Sequence, residues 1–224
     1  MSVNQQIYAT ALALALAIVF FALSDFDVMA QDVFYDYSTH KWILHWSEQP
    51  YKFIFYDGSK KLLIIFAVSL LAALAFFRKT ELVKECKRGI VIVILSAILV
   101  PSAVGLIKDN SNMPCPKDEI NYGGIYPRTA VWQSYPLEFD KPKTKCWPAG
   151  HASGGFALLS IFFLFKRRKN RFIALGVAMS VGWSMGLYKM IIGDHFLSHT
   201  LITMLLAWLI ILIISKIVDF KFNT

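Results

Sequence analysis

The amino-acid sequence predicts an all-α fold: a polytopic membrane protein with six transmembrane helices packed as one core bundle. Three observations predict it. The 224-residue chain is 56% hydrophobic, more apolar than an ordinary water-soluble domain. Its apolar residues are gathered into runs of the length that crosses lipid, about 17–25 residues, rather than spread at amphipathic spacing. Its basic residues, which give a net charge of +8, bunch in short connectors between those runs, the pattern that sets membrane topology. A nucleic-acid groove would need that charge on one folded face, and this function class is set aside.

The first run, 6–24, lies in "MSVNQQIYATALALALAIVFFALS". The later "VMAQ" loosely resembles a cleavage site, but no Lys or Arg precedes the apolar stretch, as a signal peptide would require. It is read as a retained span. Residues 25–61 then form a first outer loop, whose aromatic patches "WILHW" and "YKFIFY" suit a helix lying at headgroup level. The second span, 62–77, is short, and flanking aromatic and basic residues can extend it by snorkelling.

The connector 78–88 carries Arg78, Lys79, Lys84, Lys87 and Arg88, which assigns it to the cytoplasmic side. The third span is 89–107, and a long outer loop, 108–150, mixes basic and acidic residues. A fourth, short span at 151–165 is followed by "KRRKNR" (166–171), with five basic residues in six positions, again cytoplasmic. Spans at 172–192 and 196–215 flank a very short outer connector, 193–195. Both termini then fall inside, and residues 1–224 form a single domain. Gly150/Gly154 and Gly182/Gly186 have the spacing that permits close helix contact, although glycine is also simply common in membrane helices.

Ionisable groups in or at the rim of a span are costly and mark candidate functional sites. Lys108, His151, Lys189, His195 and His199 come from four different spans, yet in this topology all reach the outer rim. His151 follows Pro148, Ala149 and Gly150, a turn into a helix. The first N–H groups of a helix have no internal partner and point at a ready anion site, and glycine lets a ligand approach the backbone. The same residues also suit a plain helix start with an interfacial histidine. Lys189 can snorkel toward headgroups or serve as a fixed charge for phosphate. His195 and His199, four apart, share a helix face. As a metal face, however, "HFLSH" lacks the Glu of the HExxH pattern, and Asp194 is the one further ligand the sequence offers beside it. Two imidazoles and two ammoniums on an anion-binding rim fit phosphoryl transfer, which needs positive charge around phosphorus, a nucleophile and an acid for the leaving group.

These residues resemble the signature of the type-2 phosphatidic acid phosphatase superfamily, integral membrane lipid phosphatases with the acid phosphatase/vanadium-haloperoxidase fold. That signature has three parts, K-x6-R-P, P-S-G-H and S-R-x5-H-x3-D. Here they read "KDNSNMPCP" from Lys108, "PAGH" from Pro148 to His151, and "YKMIIGDHFLSH" from Tyr188 to His199, in order and at the right spacings. The resemblance implies that Lys108, Lys189 and the Gly150 N–H bind phosphate oxygens. It implies that His195 attacks phosphorus to form a phosphohistidine, and that His151 protonates the leaving oxygen and then activates water. It implies no metal and no other cofactor. It implies a lipid phosphate as partner, of the undecaprenyl diphosphate, phosphatidylglycerol phosphate or lipid A phosphate class. It implies a bacterial inner membrane location with the site facing the periplasm.

The sequence departs from the signature at Cys115 and Lys189 in place of Arg, at Ala149 in place of Ser, and at His199 in place of the orienting Asp. His199 then stands as the acceptor for His195, and Arg128, Lys143 or Lys145 in the outer loop as replacement for a lost guanidinium. Cys115 and Cys146 flank the first two motifs. If the outer side is oxidising they can pair, stabilising by roughly 3–4 kcal/mol across about thirty residues on the loop-entropy argument; otherwise they are free thiols. Three activities stay open on these residues: a lipid phosphatase, a lipid phosphotransferase using the same phosphohistidine, and a weakly catalytic lipid-phosphate binding or transport protein on the same scaffold.

Overall fold

A computed structural model describes residues 2–136, 139 and 141–223. It is 71% helical and nearly all-α. Helix α1 spans Val3–Leu23 and a short α2 spans Phe26–Asp32. Strands β1 (Tyr35–Asp36) and β2 (Lys41–Trp42) pair antiparallel as a small hairpin. A π-helical turn, Phe53–Gly58, runs into α3, Ser59–Phe76. Helix α4 covers Glu81–Asp109, and α5 (Gly150–Ala157) continues as a 3₁₀ stretch, Leu158–Leu164. Helices α6 (Arg168–Ile191) and α7 (Leu197–Asn223) complete the chain.

Five helices among the described residues are long and apolar enough to cross a membrane: Val3–Leu23, Phe53–Phe76, Glu81–Asp109, Arg168–Ile191 and Leu197–Phe222. The sixth expected crossing, 151–165, is different. Its eight α-helical and seven 3₁₀ residues rise only about 26 Å at the usual increments, short of a hydrocarbon core of about 30 Å. The first outer loop also departs from expectation. "YKFIFY" does not form a separate helix along the surface; its last residues enter the π-helical turn and lengthen α3. "WILHW" contributes Trp42 to the hairpin.

The core lies between α4, α5, α6 and α7, where Val100, Ala152, Phe156, Ala178, Ala207 and Ile211 are buried together. Small residues make this packing possible. A Cβ on Gly182 would lie 2.3 Å from the Phe156 ring, and one on Gly155 would lie 2.8 Å from the Gly182 backbone. Gly186 likewise abuts Thr200 of α7. The Gly182/Gly186 pair thus makes close contacts, and its partner on α5 is Gly155 rather than Gly154. A second cluster sits under the loops, where Tyr35, Met113, Tyr122, Trp147 and Phe196 pack.

The basic connectors gather at one end of the bundle. There Arg88 pairs with Asp219 of α7, and Lys166 with Glu85 at 3.2 Å. Lys108, at the last turn of α4, is twenty residues from Arg88 on the same helix, a rise of about 30 Å. It therefore lies at the opposite end, with the start of α5, the end of α6 and the start of α7.

Candidate functional site

Four helix ends build the site. The last turn of α4 brings Lys108 alongside the first residue of α5, where a Cβ on Gly150 would stand 3.7 Å from its ammonium. Glycine there leaves the helix start open beside a positive charge. The start of α5 is fixed from α7. The Ala149 N–H donates to Thr203 Oγ1 at 2.8 Å, and that hydroxyl donates to the His199 carbonyl at 2.7 Å. His151 stacks on Tyr56, with ring centroids 4.3 Å apart, and its Nε2–H donates to the Phe55 carbonyl at 3.0 Å. A carbonyl only accepts, so this bond fixes the tautomer.

The turn between α6 and α7 carries the other imidazole. Gly193 adopts φ +75°, and the Trp42 ring lies against the space a side chain there would occupy. The Asp194 and His195 N–H groups both donate to the Lys189 carbonyl, at 2.8 and 3.2 Å. The Lys189 ammonium lies 4.5 Å over the Tyr56 ring and 2.6 Å from Asp194, whose other oxygen takes Lys117 at 2.7 Å. Burial acts to raise the Asp194 carboxyl, but the two ammoniums outweigh it and hold it below the usual carboxylate range.

His195 is buried, with Nδ1 3.3 Å from Nδ1 of the buried His199. One of these nitrogens must donate and the other accept. Burial, and then the nearby His199, Lys108, Lys189 and His151, hold His195 well below the ordinary histidine range. At neutral pH it is an uncharged base. Its Nε2 makes no hydrogen bond among the described residues and is free to meet a ligand.

A cavity of about 620 Å³ connects these groups. Lys108, Gly150, His151, Lys189 and His195 line its polar end. Leu63, Ile64 and Ala67 of α3 and Val93, Ala97 and Pro101 of α4 line an apolar flank. From Lys108 to Val93 is fifteen residues along α4, or about 22 Å. The polar end presents two lysine side chains, and the flank descends between helices on the side where α3 is unburied.

Of the residues singled out from sequence, Lys108, Gly150, His151, Lys189 and His195 meet in this cavity, and His199 stands behind His195. Arg128 does not join them. Its guanidinium binds Asp25 at 2.7 Å and the Ser24 carbonyl at 2.9 Å, tying the outer loop to the end of α1. Lys145 pairs with Asp109 instead, and Lys143 is not among the lining residues. Among the described residues no guanidinium lines the cavity in place of those missing from the motifs. Asp194 does not complete a metal face either, because it faces the two lysines. The third donor beside the histidines is Cys146: its Sγ, with a nitrogen of His195 and of His199, lies within 4.8 Å of the others. Cys146 is joined to Cys115 by a disulfide, with Cα atoms 5.2 Å apart, and so carries no thiolate in this form. Sequence reasoning missed Tyr56, the Phe55 carbonyl, Lys60 and Lys117. The aromatic patch "YKFIFY" was visible, but only the fold turns it toward His151.

A sequence profile of the PAP2 superfamily matches residues 89–223. No curated protein and no solved structure matches the chain. The matched stretch holds all three spaced motifs and every helix end that lines the polar part of the cavity except the turn before α3. The chain is therefore a member of the PAP2 superfamily.

Proposed function

We infer from membership of the PAP2 superfamily that the protein is a phosphatase acting on phosphate esters. We propose that this protein is a membrane lipid phosphatase that works without a metal through a phosphohistidine on His195. The observation that carries the reading is the single cavity in which Lys108, Gly150, His151, Lys189 and His195 share a polar end joined to an apolar flank. A substrate keeps its tail between α3 and α4 while its phosphate reaches the lysines. No large soluble domain is needed to extract it from lipid.

In this mechanism Lys108, Lys189 and the Gly150 N–H neutralise the phosphoryl oxygens where charge is held in the transition state. His195 donates its Nδ1–H to His199 and attacks phosphorus through Nε2. His199, unlike a carboxylate, orients the nucleophile without adding negative charge. Protonated His151 gives its Nε2 proton to the leaving oxygen, which takes the position of the Phe55 carbonyl. It then removes a proton from water, which attacks the phosphohistidine and releases phosphate. Asp194 keeps Lys189 and Lys117 in place. The protein lies in the bacterial inner membrane with both termini cytoplasmic and the cavity open to the periplasm. The basic connectors at the end of the bundle opposite the cavity support that orientation.

The test is phosphate release by the detergent-purified protein across a panel of lipid phosphates and diphosphates, with and without a chelator. At least one lipid phosphate is expected to be hydrolysed at the same rate in the chelator. Full activity in His195→Ala would end the nucleophile assignment. Labelled phosphate recovered on an added acceptor lipid instead of in solution would mark a transferase.

A further inference from the structure

The geometry points to a second use for the two histidines: when the Cys115–Cys146 disulfide is opened, Cys146, His195 and His199 form a zinc site. The reasoning starts from distances. Zinc bound tetrahedrally, with Zn–S of about 2.3 Å and Zn–N of about 2.0–2.1 Å, sets its sulfur–nitrogen edge near 3.6 Å and its nitrogen–nitrogen edge near 3.3 Å. Here Cys146 Sγ lies 3.7 Å from His195 Nδ1, and His195 Nδ1 lies 3.3 Å from His199 Nδ1. Two of the three edges already match, the third lies within 4.8 Å, and all three residues are buried. Cys115 lies outside this group, and opening its bond frees the Cys146 thiolate. One thiolate with two imidazoles is a donor set that selects zinc over magnesium or calcium.

What blocks the site is covalent. In the disulfide neither sulfur has a thiolate to offer. A small dithiol supplies two electrons and two protons. It becomes the cyclic disulfide, the S–S bond of the protein breaks, and Cys115 and Cys146 become thiols. Zinc then displaces the Cys146 thiol proton, which leaves to solvent. Both cysteines and His195 line the cavity, so reductant and ion share one route in. The Lys108 and Lys189 ammoniums oppose a dication nearby, and the Cys146 thiolate offsets part of that repulsion.

The consequence for activity rests on the phosphatase reading. Zinc on Nδ1 of His195 leaves the ring proton on Nε2, the nitrogen that must attack phosphorus. The metal-loaded, reduced protein is therefore silent, and thiol–disulfide exchange with a small disulfide, which takes up the two electrons and two protons and leaves as a dithiol, closes Cys115–Cys146, expels the ion and frees the nucleophile. A chain that reaches the membrane reduced and zinc-loaded stays inactive until such an exchange closes the disulfide.

Cobalt(II), used as the spectroscopic substitute for zinc, tests the site on the full-length protein in detergent. The reduced protein, freed of reductant, is expected to take up about one equivalent. It should show a thiolate-to-cobalt charge-transfer band and the visible bands of a tetrahedral ion, both abolished by added zinc. The oxidised protein should show neither. Cys115→Ser should bind cobalt without reduction, Cys146→Ser should lose the charge-transfer band, and His199→Ala should bind at least tenfold more weakly. Absence of the bands in both the reduced wild type and Cys115→Ser overturns the site, as does a band that survives in Cys146→Ser. If Cys115→Ser fails to fold, the reduced wild type decides alone. In the phosphate assay, equimolar zinc should slow the reduced protein at least tenfold, and a chelator should restore it. An unchanged rate with zinc bound would refute the silencing. If the oxidised protein hydrolyses no lipid phosphate, the phosphatase reading fails while the cobalt spectra still decide the metal site.

Discussion

Across the cavity, α5 and α3 are built in opposite ways. Helix α5 buries Ala152, Ser153, Gly155, Phe156 and Ala157 in the bundle and carries His151 at its start. Helix α3 has no buried residue. Its leucines and isoleucines, such as Leu62, Ile64 and Ile65, are exposed to what a membrane would supply as lipid. Yet the chain leading into α3 gives His151 two of its neighbours, the Phe55 carbonyl and the Tyr56 ring. The family match begins at residue 89 and so includes α5 but not α3. The proposed chemistry belongs to the packed wall, and the wall that is loosely held and outside the match shapes the rest of the cavity. Substitutions on the two walls should thus separate, the packed wall acting on rate and fold and the loose wall on positioning and substrate choice.

The largest effect should come from the reacting groups. His195→Ala is expected to reduce phosphate release to background, and His151→Ala to reduce it by about 10²–10⁴-fold, with the circular dichroism of both variants unchanged. Next, Gly182→Leu drives a side chain into Phe156 and should destabilise by about 1–3 kcal/mol, read as a lower thermal midpoint in detergent. The same change on α3 at Ala67, which lines the cavity on the unpacked side, should leave the midpoint in place and raise KM for the longest-tailed substrate.

Tyr56→Ala removes both the stack on His151 and the ring under Lys189. Together these contacts contribute about 1–2 kcal/mol, so kcat should fall about tenfold with little change in stability. If Tyr56→Ala instead lowers the thermal midpoint as much as Gly182→Leu, the contrast between the walls fails.

A smaller effect separates the loops from the bundle. Glu119 is fully buried, with neither carboxylate oxygen hydrogen-bonded among the described residues. Burial pushes its carboxyl up to about 8. Between the ordinary carboxylate range and pH 8 the folded protein therefore holds a proton that the unfolded chain does not, and stability should fall as pH rises through that window. Glu119→Gln should raise the thermal midpoint by a few degrees at pH 9 and change it little at pH 5. The smallest expected change is at Gly105, where a Cβ meets nothing within 4 Å. Gly105→Ala should stabilise α4 by about 0.5–1 kcal/mol.

Much of this arrangement is legible in the sequence because it depends on local facts. Runs of apolar residues locate the long helices, and motif spacing brings Lys108, His151, Lys189 and His195 to one rim. What is not legible depends on partners far along the chain. Arg128 is as basic as any phosphate ligand, and only the approach of Asp25 and Ser24 diverts it. Asp194 sits next to His195 in sequence, yet the turn at Gly193 aims it at Lys189 and Lys117. The fourth apolar run is already short in sequence, and only the fold shows that its second half is a 3₁₀ stretch, whose larger rise recovers part of that length. Cys146 beside the two histidines is likewise invisible, because a separation of almost fifty residues carries no periodic signal.

The turn from 190 to 198 is gripped from outside the matched family region. Gln31 donates to the Met190 carbonyl at 2.8 Å, Asp27 accepts from the Ser198 N–H at 2.8 Å, and Trp42 closes over Gly193. A minimal enzyme cut to begin at α4 would keep each proposed reacting side chain and lose these three clamps. Trimming this protein to its recognisable part should therefore give an inert chain, and grafting its reactive turn onto another scaffold would require bringing the amino-terminal eighty residues along.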